Sequence, residues 1–365
     1  MDIIQFICYY AFNMSNKNKH IPLETPDYGF DQGLHITARN VRSGEEETHL
    51  FSQEELRLLP SHGQSPENDA RIAEQLERNR TIAMGLGGRA VELSHAGSDD
   101  AQNVMVTLYG WGGDMSHPVA IGEAQALAAA NPDTRHVFIN TAGVGGTDSF
   151  PRSIEKEITQ HGHYGALGEH YVEAVRNAGI LDDSLPVDLR GHSLGGRTAI
   201  GMAAHLDDAR SLVVNDPTGS EKLNLSQLGK RFIFEEGRHL GAYQKTAFDP
   251  ASVALQKEGL KLSIGDLLRR SRQQFLIDPR GLGHESLAHD LTDALPNISE
   301  EIRIISPELS ALNNWENVAK ILSNIVDTAQ STALLEQWVV HGHSHSLLGG
   351  SNSGIVAELY RRRSP

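Results

Sequence analysis

A single cysteine, Cys8, in 365 residues leaves nothing for an internal disulfide and no thiolate set for a zinc cluster. That scarcity fits a reducing compartment, and a cytoplasmic location is expected. Long apolar runs are missing as well. The opening stretch from Ile3 to Phe12 is apolar but far too short to span a bilayer, so no membrane span is expected. It lacks a basic start and a small-residue cleavage site, so a secretory signal is not expected. It reads as a docked N-terminal segment, or as an over-extended start with translation beginning at Met14. Positive charge is scarce too: 32 basic residues face 47 acidic ones, and the formal net charge is -15. Such a field repels nucleic acid and anionic lipid, so neither is expected as a main partner. The one basic run, Arg361 to Arg363, reads as a solvated tail. Internal repeats and long low-complexity tracts are absent.

What is present points to a folded chain with a sizeable core. Hydrophobic residues make up 39% and charged residues 22%, too apolar a mixture for general disorder. The length exceeds one average domain, so a large domain with an insertion, or two domains, is expected. Residues 1–87 are polar and mixed and read as an N-terminal extension. Within it Ser52-Gln-Glu-Glu55 fits a capping box, and Ser65-Pro66-Glu67 a helix start. Gly85, Gly87 and Gly88 lack the spacing of a nucleotide loop and read as a helix stop and turn.

From Gly88 the pattern changes. Short runs rich in Val and Ile predict strands at 89–94, 103–109, 135–140, 187–190, 211–215, 301–305 and 336–340. Helical stretches at 120–130, 154–178, 197–205 and 315–328 separate them. That alternation implies an α/β fold, a mostly parallel central sheet flanked by helices. Residues 220–295 break the pattern with helical segments at 264–275 and 285–295 and no strand, and read as a helical lid insertion. The core is thereby divided into 88–219 and 296–365.

The strongest chemical signal is Gly191-His192-Ser193-Leu194-Gly195-Gly196, between a strand-like run and a helix-like one. A serine hydroxyl is a weak nucleophile and must be held exposed on a tight turn within reach of a base. Glycines on both sides permit that turn, so the segment reads as a nucleophile elbow with Ser193 attacking. A second strand runs into Gly110-Trp111-Gly-Gly113, where the Trp111 amide, with that of Leu194, is a candidate oxyanion donor.

These motifs resemble those of the α/β-hydrolase superfamily, in the family's order, over roughly residues 88 to 360. Leu108-Tyr-Gly-Trp-Gly-Gly is similar to the family's His-Gly oxyanion strand, with Tyr109 in place of histidine. Asn140-Thr-Ala-Gly-Val-Gly-Gly-Thr147 is similar to the Asp-x-Pro-Gly-x-Gly-x-Ser loop, with Asn140 for Asp and Ala142 for Pro. The resemblance implies a lid inserted after the strand ending near Asp216, and a catalytic histidine beyond the last core strand.

The tail offers His341, His343 and His345. Aligned with the family's strand-Pro-Gly-Ala-Gly-His ending, His345 falls on the base, with His343 as the alternative. The family's acid position falls on Ser310, which leaves two carboxylates. Asp216 ends the strand before the insertion, in Val213-Val-Asn-Asp-Pro217, and Glu308 lies two residues before Ser310. Three histidines at alternate positions also invite a zinc reading. No further ligand follows, and neither metal nor cofactor is expected. The expectation is a serine hydrolase, most simply an esterase, acting on a small-molecule acyl substrate through an acyl-enzyme. Amide, thioester or carbon–carbon cleavage, and a non-catalytic binding role, are the alternatives. The sequence says nothing of oligomeric state.

Overall fold

The computed structural model describes residues 33–52, 54–55, 66–98, 100–111, 113–116, 118–181, 185–236, 277–326 and 331–345. The expected helix at 264–275 lies outside them, as do Cys8 and the Arg361–Arg363 run. Among the described residues ten strands form one sheet. In chain order they are β1 (Leu34–Asn40), β2 (Glu46–Phe51), β3 (Thr81–Gly85), β4 (Arg89–Gly97) and β5 (Asn103–Leu108). β6 (Thr134–Ile139), β7 (Val187–His192), β8 (Ala209–Asn215), β9 (Ile298–Pro307) and β10 (Leu334–Val340) complete it. The spatial order is β2-β1-β10-β9-β8-β7-β5-β6-β4-β3.

The six central strands, β5 to β10, run parallel. They are the Val- and Ile-rich runs: Val104, Val106, Leu212, Val214, Ile302 and Ile304 are all buried in the main core. β-Branched side chains suit a pleated surface covered on both faces, and their burial drives the layering. Antiparallel pairs close both edges, β1 and β2 beside β10 and β3 and β4 beside β6.

The edges differ from the sequence expectation. β1, β2 and β3 come from the stretch read as a polar extension. β1 alternates, with Leu34, Ile36 and Ala38 buried against Trp338 and Val340, but the following β2 is largely exposed. The glycines at 85–88 join β3 to β4 through a 3-10 turn rather than ending a helix. The Ser52–Glu55 capping box is present: Ser52 N–H donates to Glu55 Oε2 at 2.7 Å, and Glu55 N–H to Ser52 Oγ at 3.2 Å.

The helices are α1 (Pro66–Arg78), α2 (Pro118–Ala130), α3 (Arg152–His161), α4 (Gly165–Asn177) and α5 (Leu194–Ala203), followed by α6 (Leu225–Lys230), α7 (Asp278–Leu282), α8 (Leu287–Ala294) and α9 (Trp315–Val326). The single helix expected over 154–178 is two. Gly162, at φ 68, turns left-handed, and its N–H caps α3 on the Ile158 carbonyl. Both described ends of the 220–295 stretch pack onto the core. Leu223, Leu228, Leu287, Leu291 and Ala294 belong to its main cluster. Arg197 of α5, fully buried, ties α8 to the strand ends. It donates to Asp290 at 2.5 Å, Ser286 at 2.9 Å and the Gly162 and Thr218 carbonyls at 2.9 and 3.0 Å.

Chain order reverses between β7 and β5. In an open parallel sheet the crevice at the carboxyl ends of such a pair is where ligands bind. β7 leads into Ser193, and β5 leads into the Gly110–Gly113 turn.

Candidate active site

Ser193 sits at φ 57 and ψ −120, between the end of β7 and the start of α5. Only one other non-glycine residue among those described has positive φ, Asp216 at 45. Such backbones cost on the order of 1–3 kcal/mol each and persist where their surroundings hold them. Here the hold is visible. Ser193 N–H donates to Asn215 O at 2.9 Å, and Asp216 N–H to Ile305 O at 2.7 Å. Neighbouring strand ends thus fix both residues. The elbow also needs its glycines for space: a Cβ at Gly195 would lie 2.2 Å from the Leu108 carbonyl oxygen.

The β5 turn closes on the other side. Gly113 N–H donates to Gly110 O at 2.9 Å, and a Cβ on Gly110 would stand 3.3 Å from that of Ser193. Trp111 lies in this turn, and its indole meets Phe232 edge-on with centroids 5.4 Å apart. Leu194 is the first residue of α5, where amides have no acceptor within the helix and the helix dipole is positive. Asn140 braces the turn from behind, accepting from Met115 N–H at 2.8 Å and donating to Glu92 at 2.8 Å.

His345 and Asp216 meet. His345 Nδ1 lies 2.6 Å from Asp216 Oδ2, and both residues are buried, at 2% and 0% exposure. Ser310, at the position where the family's acid was expected, donates its hydroxyl to the same Asp216 oxygen at 2.5 Å. Its own oxygen accepts from Leu312 and Asn313 N–H at 3.2 and 3.1 Å. Burial pushes the His345 ring toward the neutral form. The Asp216 hydrogen bond and charge, with the Glu236 charge, overcome that and raise its pKa above the ordinary 6.5.

The alternatives lie elsewhere. Glu308 accepts from Gly342 N–H at 2.9 Å and stands 3.5 Å from His341, turned toward the sheet edge. His343 is buried with Nδ1 3.1 Å from the His341 carbonyl, and desolvation lowers its pKa to about 4. His341 stacks on His35 and bonds Thr37 at 2.9 Å. The three tail histidines therefore point to different neighbours. Among the described residues no group of three or more His, Cys, Asp or Glu is placed to hold a metal ion. No described helix is long and apolar enough to cross a membrane.

Two residues that sequence reasoning left out touch His345. His192 donates Nε2–H to the His345 carbonyl at 3.0 Å, its ring 4.6 Å from that of His345. Its place beside Ser193 in the elbow was the available signal. Glu236, at the start of the inserted stretch, accepts from Ala311 N–H at 2.9 Å and His345 N–H at 3.4 Å. Nothing in the sequence marks it, because the partners are over seventy residues away.

Four histidines whose rings the fold desolvates give the protein an acid limit. Desolvation lowers His136 to about 4, His170 to about 4, His192 to about 3 and His343 to about 4. Unfolded, each titrates near 6.5, so below that pH the unfolded chain binds protons that the folded one refuses, and stability falls with pH. Even one unit apiece removes on the order of 5 kcal/mol, comparable with a domain's whole stability. His345 acts oppositely: its raised pKa adds stability below 6.5 that is lost as pH rises through the folded value. Thermal melts are expected to hold near pH 7 to 8 and drop steeply between 6.5 and 4. A melting temperature flat down to pH 5 would show these rings to be solvated.

No family model matches the chain, and no curated protein matches it in sequence. Solved structures do match. A protein described as an aryl esterase from Burkholderia cenocepacia aligns with TM-score 0.52 at 12% identity, over 78% of this chain and 98% of its own. An esterase from Exiguobacterium antarcticum aligns with TM-score 0.50 at 14% identity, over 77% and 98%. A protein described as a lipase from Acinetobacter baumannii gives 0.51 at 15%, over 82% and 96%. At such identities the likeness is one of architecture, and it spans nearly the whole length of each neighbour. With a parallel sheet reversing at β5 and β7 and a strained serine between β7 and α5, the chain has the α/β-hydrolase fold.

Proposed function

We propose that the protein is a serine hydrolase that cleaves a carboxylic ester through an acyl-enzyme on Ser193. The observation that carries this reading is the 2.6 Å contact between His345 Nδ1 and Asp216, beside an elbow whose serine has positive φ. In the first step Ser193 Oγ bonds to the ester carbonyl carbon while its proton passes to His345 Nε2. The carbonyl electrons move onto oxygen, held by the Trp111 and Leu194 amides. The intermediate collapses with loss of the alkoxide, which takes the proton from His345. Water then repeats the sequence on the acyl-enzyme and frees the acid. Asp216 fixes the ring with Nδ1 protonated and stabilises the imidazolium as it forms.

Ester as the substrate class is supported by the esterases among the fold neighbours. Serine at the elbow fits acyl transfer, whereas alkyl transfer calls for a carboxylate there. Phe232 meets Trp111 edge-on, and this contact between the root of the inserted stretch and the proposed oxyanion turn favours a role for that stretch in admitting substrate.

A fluorophosphonate probe is expected to label the chain once, on Ser193, as read by peptide mass spectrometry. Absence of any adduct would retire the hydrolase reading in favour of a binding role. On p-nitrophenyl esters, kcat/KM should rise with pH as His345 loses its proton, with a midpoint above 6.5. EDTA should leave it unchanged. Loss of activity on chelation with recovery on adding zinc would turn the tail histidines into a metal site.

A further inference from the structure

We infer that Glu236 is a positioning residue for the base, and that the root of the inserted stretch is thereby part of the catalytic apparatus. This rests on the serine-hydrolase reading for His345 and extends it to a residue outside the triad.

The root runs from α6 through a π-helical turn, Arg231–Glu235, to Glu236. π-Helical turns are rare and are found frequently at functional sites. This one directs Glu236 inward: the residue is 1% exposed, although it lies on a connection between strands. A carboxylate so placed must find hydrogen-bond donors, and two backbone amides are among those it finds. Ala311 N–H, at 2.9 Å, belongs to the loop after β9, and His345 N–H, at 3.4 Å, is the amide of the base itself.

The same root grips that loop a second time. Arg231, paired with Glu221 at 2.6 Å, donates to the Ala311 carbonyl at 3.3 Å. Ala311 is therefore held at both its amide and its carbonyl by the π-turn and its flank. Immediately before it stands Ser310, whose hydroxyl bonds Asp216. Contacts run without a gap from Arg231 and Glu236 to Ala311, to Ser310, to Asp216 and to His345. Phe232, between the two anchors, packs on Trp111 of the oxyanion turn. One short segment thus touches the mounts of base, acid and oxyanion turn.

Glu236 also acts through charge. His345 is faced by Asp216 from the end of β8, by His192 from the elbow and by Glu236 from the root. His192 is neutral at any working pH, its pKa lowered to about 3 by burial first and by His345 next. Among the described residues the negative charges on the imidazolium are those of Asp216 and Glu236, and both raise its pKa. A purely structural glutamate would hold the loop without moving that titration.

The test compares the wild type with Glu236→Gln and Glu236→Asp. Glutamine keeps an acceptor for both amides and removes the charge; aspartate keeps the charge and withdraws it by one methylene. In Glu236→Gln the acid limb of kcat/KM for p-nitrophenyl acetate should move down by about half a pH unit or more. The plateau should fall by about threefold to thirtyfold with KM little changed, since the loss is in orienting the base. Glu236→Asp should lower the plateau while leaving the acid limb nearer that of the wild type.

The His345 ring is titrated in parallel by NMR, which needs no turnover. If the wild type proves inactive and unlabelled on Ser193, the hydrolase reading fails while the NMR shift still decides whether Glu236 sets the His345 pKa. A His345 titration identical in wild type and Glu236→Gln would overturn the proposal. So would an unchanged plateau in both variants. Should Glu236→Gln fail to fold, Glu236→Asp decides: wild-type rates in that variant would overturn the proposal.

Discussion

Ser193→Ala is expected to lower kcat by about a millionfold, to a residue of activity set by binding and oxyanion contacts. The size follows from the two-step route. Without Oγ there is no acyl-enzyme, and water must attack directly in a site arranged for a different geometry. His345 and Asp216 are then of little further use, so removing them in the same chain should cost almost nothing more. The melt should change little, because alanine tolerates φ 57 no better than serine. Ser193→Gly separates strain from chemistry. It should be equally inactive yet more stable, recovering part of the roughly 1–3 kcal/mol held in that backbone. Activity within tenfold of wild type in Ser193→Ala, with contaminants excluded by active-site titration, would sink the mechanism.

Asp216→Asn comes next in size, at about ten thousandfold in kcat. The carboxamide fits the same space, and asparagine accepts φ 45 readily, so folding is not at issue. What changes is the proton on His345. With a carboxylate at 2.6 Å, Nδ1 carries the proton and Nε2 is free to act as base. An amide can present its N–H instead, which favours the wrong tautomer and offers no charge to the imidazolium. Glu308→Gln, by contrast, disturbs only the Gly342 and His341 contacts and should stay within about twofold. A silent Asp216→Asn beside a crippled Glu308→Gln would reverse the assignment. Two mild effects would point to a dyad.

The elbow was legible because its demands are local. Glycine, serine and glycine at alternate positions, after a Val-Asp-Leu-Arg run, answer a steric problem posed within one strand and one helix. The central strands were legible for a similar reason: burial on both faces writes itself as Val and Ile. β2 was not, because Glu46-Glu-Thr-His-Leu-Phe51 lies at an edge with most side chains in water, and its pairing with β1 leaves no apolar alternation. The break between α3 and α4 was missed although Gly162 was in plain view, since one glycine is tolerated inside a helical pattern. The candidate acid stayed double in sequence because two parallel neighbours, β8 and β9, finish side by side at the carboxyl end of the sheet. Either strand end can carry a carboxylate to the same imidazole, and it is the folded chain that sets Ser310 against Asp216. Glu236 shows the limit: its role arises from a meeting of three distant segments.

The pairing of β1 with β10 also has a consequence for synthesis. Thr37 and His341, side by side at that edge, are 304 residues apart in the chain. At ribosomal rates of about 5–20 residues per second, roughly 15–60 s separate the making of one from the other. The elbow is translated midway through that interval, and the histidine that would activate it comes only after β10. A growing chain therefore carries Ser193 well before it owns His345. On that side β1 must wait unpaired until β10 arrives, which completes the sheet and brings His345 to Asp216.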